Sequence, residues 1–272
     1  MKNMFKKFLS RGYIFIVLAF IYIPIFILIL FSFNSGKTFT GFENYDFSLA
    51  WYGRLGEISD VIVNTVVLAI VSSVIATILG TLGAIGIFYS KGKLGKSVKG
   101  ASQIPVVNSE VVTACALAMM LALVGLSHRS IFGLYIGHIT LIVPFVVLSV
   151  MPKLKQMDSS MYEAALDLGA TPTQALFKVI LPEILPGIFS GFMLAVTLSL
   201  DDYIITATLA PLGYDTISTA VYKAIALTTE QASQQVPIYR ALTTIIFLIT
   251  VLAVVIMNVR AGKKKNGLKG KV

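Results

Sequence analysis

Residues 61–90 read VIVNTVVLAIVSSVIATILGTLGAIGIFYS, thirty positions without an Asp, Glu, Lys or Arg. At 1.5 Å rise per residue, a helix needs about 20 such residues to cross a hydrocarbon core of roughly 30 Å. The rest of the chain repeats the pattern. Of its 272 residues, 56% are hydrophobic and 13% are charged, whereas soluble domains sit near 45–50% and about 25%. Further charge-free stretches cover 12–36, 111–128, 130–152, 184–200 and 241–259. With the ends adjusted, six transmembrane helices are expected at 12–33, 61–90, 101–124, 130–151, 186–209 and 241–259. The chain reads as an all-α polytopic membrane protein with a single domain over 1–272. The third span starts near Ala101 and contains Glu110; the fifth runs on to about Leu209 and contains Asp201 and Asp202.

The charges are sorted by side. Lys2, Lys6, Lys7 and Arg11 precede the first span, and Lys91, Lys93, Lys96 and Lys99 follow the second. Lys153, Lys155 and Lys178 lie between the fourth and fifth, and six basic residues from Arg260 to Lys271 follow the sixth. These segments share one face and hold 17 of the 22 basic residues. Basic loops stay inside, so both termini are expected in the cytoplasm, in a cell inner or plasma membrane. The first apolar stretch exceeds the 7–15 residues of a signal-peptide core and lacks a small-x-small cleavage site, so it reads as an anchor. The net charge of +9 is then a topology signal, and a nucleic-acid partner is not expected. One Cys and two His leave no disulfide framework and no zinc site with the usual ligand count. Cys115 reads as a small core residue. No Ser/His or metal constellation suggests an enzyme, and no cofactor or metal is expected.

Residues 158–182 form the long loop on the basic side. Asp158 or Ser159 can cap a helix with Glu163 in its first turn. Gly169 ends that helix at C′. Thr171 and Pro172 start a second, as cap and N1. Pro182 and Pro186 are expected to break the chain before the fifth span. The small Ala164 and Ala165 would let a partner approach closely.

The run Glu163-Ala164-Ala165-Leu166-Asp167-Leu168-Gly169, followed by Val179-Ile180-Leu181-Pro182, resembles the EAA loop of binding-protein-dependent ABC importer permeases. Val179 stands in the Ile slot of that pattern. Ser32-Phe33-Asn34-Ser35, Trp51-Tyr52, His138-Ile139-Thr140, Pro144-Phe145-Val146-Val147 and Leu198-Ser199-Leu200-Asp201-Asp202 narrow the resemblance to the PotC-type permeases of spermidine/putrescine importers. The resemblance implies the type I ABC importer (MetI-like) fold. It also implies an EAA loop that docks on a cytoplasmic ATPase, with Glu163, Ala164, Ala165, Gly169, Leu181 and Pro182 in the coupling role. The implied partners are two ATPase copies, a second homologous permease and an external or periplasmic binding protein. The chain carries no Gly-x-x-x-x-Gly-Lys-Ser/Thr phosphate loop, so ATP hydrolysis would belong to the partner.

A mid-membrane Asp costs about 2.5–3.5 kcal/mol even on insertion scales, so three such acids need a reason. Counted from the expected span starts at 1.5 Å per residue, Glu110 lies about 14 Å and Asp201 about 22 Å from the inner face. At 100° per residue, Ser190, Thr197, Asp201 and Thr208 share a stripe about 40° wide. Asp202 lies about 100° round, toward a partner or a backbone amine. A polyamine carries ammonium groups separated by methylenes, and spaced carboxylates suit it. Asp201, Asp202, Glu110 and Thr197 are the expected substrate residues of an importer that moves spermidine or putrescine by alternating access. Each acid has a plainer alternative, namely a salt bridge to a partner chain or a buried protonated carboxyl. His138 is expected to pack on Tyr135 or bond a backbone carbonyl. Tyr45, Trp51 and Tyr52 read either as an interfacial belt or as a contact for the binding protein. Ser72, Ala76 and Gly80 form a small-residue row suited to close helix packing.

Two other readings remain. The same fold could carry another small solute, although an oxyanion carrier should line its path with Arg or Lys, and the span interiors hold none. A stand-alone ion-coupled transporter would use the acids as ion ligands, but leaves the EAA-type loop unexplained.

Overall fold

The computed structural model describes residues 2–36, 45–90, 100, 108–158, 160–226 and 230–269. In chain order the helices are α1 (Lys2–Ser32), α2 (Ala50–Gly53), α3 (Ser59–Tyr89), α4 (Glu110–Leu123), α5 (Ile131–Gln156) and α6 (Ser160–Asp167), then α7 (Pro172–Ala175), α8 (Leu181–Asp201), α9 (Ile204–Leu209), α10 (Ile217–Ala226) and α11 (Glu230–Lys269). A 3-10 turn at Leu55–Ile58 leads into α3, and a π-turn at Leu176–Ile180 joins α7 to α8. Among the described residues, five helical stretches are long and apolar enough to cross a membrane. The 14-residue α4 is shorter.

Residues 1–272, expected to form one domain, gather into two compact units, one of 1–59 with 221–272 and the other of 60–220. In the first, α1 packs against α11. The aromatics after α1 close its C-terminal end, where helix carbonyls lack intrahelical partners. Tyr45 donates to the Leu30 carbonyl at 3.0 Å, and Tyr52 shares a 2.7 Å hydrogen bond with Ser32, whose hydroxyl donates to the Ile29 carbonyl. Trp51 is buried and donates Nε1–H to the Asn34 carbonyl at 3.0 Å. These three residues therefore bind their own chain, which neither sequence alternative anticipated.

The second unit is built on α5. Ser130 caps it, accepting from the Gly133 amide, and Lys153 and Lys155 sit in its last turn, where the helix dipole favours cations. Its buried face meets α3 and α8 through Ile142, Val146, Val150 and Leu154, and meets α4 and α9 through Leu141. The Ser72, Ala76, Gly80 row of α3 is wholly buried. A Cβ on Gly80 would come within 2.7 Å of Val146 Cβ and Cγ1, whereas one on Gly83 would meet Val147 at an ordinary 3.8 Å. Overpacking of this kind costs about 1–3 kcal/mol. Gly80→Val should therefore lower the thermal stability of the purified protein, while Gly83→Val leaves it nearly unchanged. Equal melting curves for both would remove the crossing from Gly80.

Four expectations about the spans are corrected. The third span is not one helix running through Glu110. Ser109 is extended (φ −71°, ψ 145°) and caps α4 by accepting from the Val112 amide, so Glu110 is in a first turn. The depth counted from Ala101 therefore fails, and residues 101–107 lie outside the described residues. The fifth span does not continue to Leu209 as one helix, because Asp202 leaves helical geometry at ψ 127° and ends α8 before α9 begins. Pro182 and Pro186 do not break the chain, since the helical stretch runs from Pro172 to Asp201. A proline ring clashes with the carbonyl four residues back. For Pro182 that carbonyl belongs to Lys178, inside the π-turn, where the widened backbone relieves it. Finally, Cys115 is exposed rather than in the core, because α4 turns Thr113, Ala114, Leu117 and Leu121 inward.

Candidate functional site

Two places in the 60–220 unit carry the sequence-derived candidates. The first is the loop at 158–182. Asp158 Oδ1 accepts from the Ser160 amide at 3.0 Å, starting α6. That amide holds its carboxyl below the usual carboxylate range, so the cap is present at neutral pH and is lost only as pH falls through the lowered value. Gly169 ends α6 with φ +85°, the left-handed region that glycine enters without a Cβ penalty. The Ala170 amide reaches back to Ala165 and the Gly169 amide to Leu166, the paired bonds of a Schellman turn. Thr171 and Gln174 then form a reciprocal capping box on α7.

Glu163, Ala164, Gly169 and Pro182 are exposed, and Ala165 and Leu181 are half-buried. Leu168 is 89% exposed at the turn. Beneath them Ala175 and Ile180 are fully buried. Ile180 joins Met157 and Ile184 in the core, with Tyr162 packed on it. The turn is thus anchored from below and open above.

The second place is the break between α8 and α9. The buried face of α8 is Ile184, Gly187, Gly191, Ala195 and Ser199. Ser190, Thr197 and Asp201 lie on its exposed side. Thr197 spends its hydroxyl proton on the Met193 carbonyl at 2.9 Å. Thr208, counted with them by periodicity, falls beyond the break on α9 and bonds the Ile204 carbonyl.

The two adjacent acids have opposite environments. Asp202 is buried. It accepts from the Ile205 amide at 3.2 Å, the Thr206 amide at 2.9 Å and the Thr206 hydroxyl at 2.9 Å. His138 Nε2 stands 3.4 Å from its Oδ2. Hydrogen bonds to a charged group are worth about 1.5–3 kcal/mol each, so these partners offset its intramembrane cost within the fold. Asp201 is exposed at the last residue of α8. It forms no ion pair or hydrogen bond among the described residues. The same holds for Glu110, which is exposed at the start of α4 and lies within electrostatic reach of Asp201 and Asp202. α4 reaches this position because it packs on α9 through Ala114, Leu117, Ile205 and Leu209.

Periodicity missed His138. It is fully buried, with Nδ1 2.9 Å from Ser199 Oγ and Nε2 3.1 Å from Thr206 Oγ1, so its ring nitrogens meet hydroxyls rather than a backbone carbonyl. The only hint in the sequence was a titratable residue inside an apolar span.

The family of binding-protein-dependent transport system inner membrane components matches residues 76–262. The chain is 31% identical over 266 residues to the spermidine/putrescine transport system permease protein PotC of Haemophilus influenzae, covering 97% of this chain and 100% of that one. It is 33% identical over 220 residues to the putrescine transport system permease protein PotI of Escherichia coli, covering 76% of each. A solved bacterial ABC transporter that imports the acidic polysaccharide alginate matches with a TM-score of 0.67 over 93% of this chain and 96% of that one, at 19% identity, which bears on the fold alone. This chain belongs to the binding-protein-dependent transport system inner membrane components and is an ABC importer permease of the PotC type.

Proposed function

We propose that this permease carries polyamines, spermidine or putrescine, inward past Asp201 and Glu110 by alternating access. One observation carries the reading. Two carboxylates without a partner among the described residues stand within electrostatic reach of each other at a broken intramembrane helix. The C-terminal end of α8 adds its own partial negative charge beside Asp201, the arrangement that suits a cation. The fold does not choose the cargo, since a similar one serves a transporter of acidic alginate. The exposed acids and the similarity to PotC and PotI support a polyamine. Thr197 flanks the path on the same exposed side of α8. Asp202 was expected to bind substrate too, but its oxygens are occupied, so its part is to hold the break.

Glu163, Ala164, Ala165 and Gly169 present the coupling surface to a cytoplasmic ATPase, and Leu181 and Pro182 join it to α8. The complete importer holds this chain, a second related permease, two ATPase copies and an external or periplasmic binding protein. The chain sits in the cell inner or plasma membrane with both termini cytoplasmic, on the strength of its basic segments. ATP hydrolysis falls to the partner.

The test is uptake of labelled putrescine by membranes containing the full complex, with a reporter fused after Val272. Uptake should need ATP, be competed by spermidine and not by an oxyanion, and the reporter should read cytoplasmic. Uptake that continues without ATP, or that ignores polyamine competitors, would overturn the reading of mechanism or cargo respectively.

A further inference from the structure

We propose that His138 is a positioning residue for the substrate path, clamping the chain on both sides of the α8–α9 break and so setting where α8 presents Asp201. The inference rests on the reading that Asp201 faces the cargo. His138 is the eighth residue of α5, and neither ring nitrogen is idle. Nδ1 holds Ser199, three residues before the break, at 2.9 Å. Nε2 holds Thr206, past the break, at 3.1 Å, and stands 3.4 Å from Asp202 Oδ2. Ser199 is held in turn by Ser72 of α3 at 3.1 Å, and the Ser72 hydroxyl donates to the Leu68 carbonyl at 2.6 Å. One imidazole thus connects α3, α5, α8 and α9 through groups that are all buried.

The break is also held by Asp202, which accepts from the Ile205 and Thr206 amides and the Thr206 hydroxyl. The freed Leu200 carbonyl is met by the Ser218 hydroxyl at 3.1 Å. Gly137 is the companion of His138. A Cβ there would come within 2.6 Å of Ile205 Cγ2 and Leu209 Cδ1, so α9 can lie this close to α5 only over a glycine. A chain bent between two helices can swing about the bend. Together with the Asp202 cap, the imidazole and the glycine seat remove that freedom, and Asp201 is the last helical residue before it. A displacement there of about 1 Å would be felt in binding, because charge-assisted bonds depend on close geometry.

The experiment is polyamine uptake by the full complex, with labelled putrescine and spermidine as probes. His138→Ala should raise the concentration for half-maximal uptake roughly tenfold with the amount of assembled complex unchanged. His138→Gln, which retains a donor and an acceptor, should recover most of the loss. In an Asp201→Asn background, His138→Ala should add less than about twofold, since there is no longer a carboxylate to place. Independent loss of the full factor in that background would overturn the positioning role, as would unchanged half-saturation in His138→Ala. If His138→Ala fails to assemble, Ser199→Ala cuts the strut to α8 alone and is read by the same two criteria. Unchanged uptake in Asp201→Asn by itself would instead overturn the reading of the path.

Discussion

Asp201→Asn should reduce polyamine uptake roughly ten- to hundredfold, while the complex still assembles with its ATPase. The magnitude follows from what the substitution removes. One charge-assisted hydrogen bond contributes about 1.5–3 kcal/mol, and a factor of ten corresponds to about 1.4 kcal/mol. Assembly should survive because Asp201 is exposed and bonds nothing among the described residues. Asn keeps the shape and the oxygen acceptor and loses only the charge. The neighbouring acid is the internal control. Asp202→Asn strikes a buried carboxylate that receives two amides and a hydroxyl, so its damage should appear first as lost protein or lost thermal stability. If Asp201→Asn transports normally, the cargo does not pair with this carboxylate. If the Asp201 change instead abolishes assembly, the side chain meets a protein cation in the complex and belongs to an interface.

Gly169→Val should reduce ATPase retention in a pull-down about five- to thirtyfold, with Gly169→Asn retaining most of it. The backbone at Gly169 has φ +85°. A β-branched residue is an outlier there, at a cost of about 1–2 kcal/mol, which corresponds to that range of equilibrium ratio. Asn enters the same region more readily. The chain can escape the strain only by opening the Schellman bonds at Gly169 and Ala170, which redirects α6 and with it Glu163 and Ala164. Substrate-driven ATP hydrolysis should fall in parallel. Full retention of the ATPase by Gly169→Val would show that docking does not depend on this turn, and would remove Gly169 from the coupling surface.

The loop and the break differ in how far they could be read ahead. At the loop, Thr171, Pro172, Gln174 and Gly169 act on neighbours within a few residues, so their spacing already contains the geometry. The capping box and the left-handed glycine lie where local chemistry places them. At the break, the deciding partners are distant. Ser199 meets His138 across 61 residues, and Thr206 meets it across 68. Hydrophobic period cannot mark an interruption inside an apolar run, because the residues on both sides remain equally suited to lipid. That is why Thr208 was assigned to one stripe with Asp201, and why α4 was expected to pass through Glu110.

The amino-acid order alone therefore determined the membrane class, the family resemblance and the local turns of the 158–182 loop, since charge exclusion, basic-residue bias and capping are short-range properties. Only the tertiary structure decided that Asp202 is satisfied within the fold while Asp201 is not. Burial and hydrogen-bond partners are set by which helices meet, and a buried carboxylate keeps its charge only where packing brings donors to it.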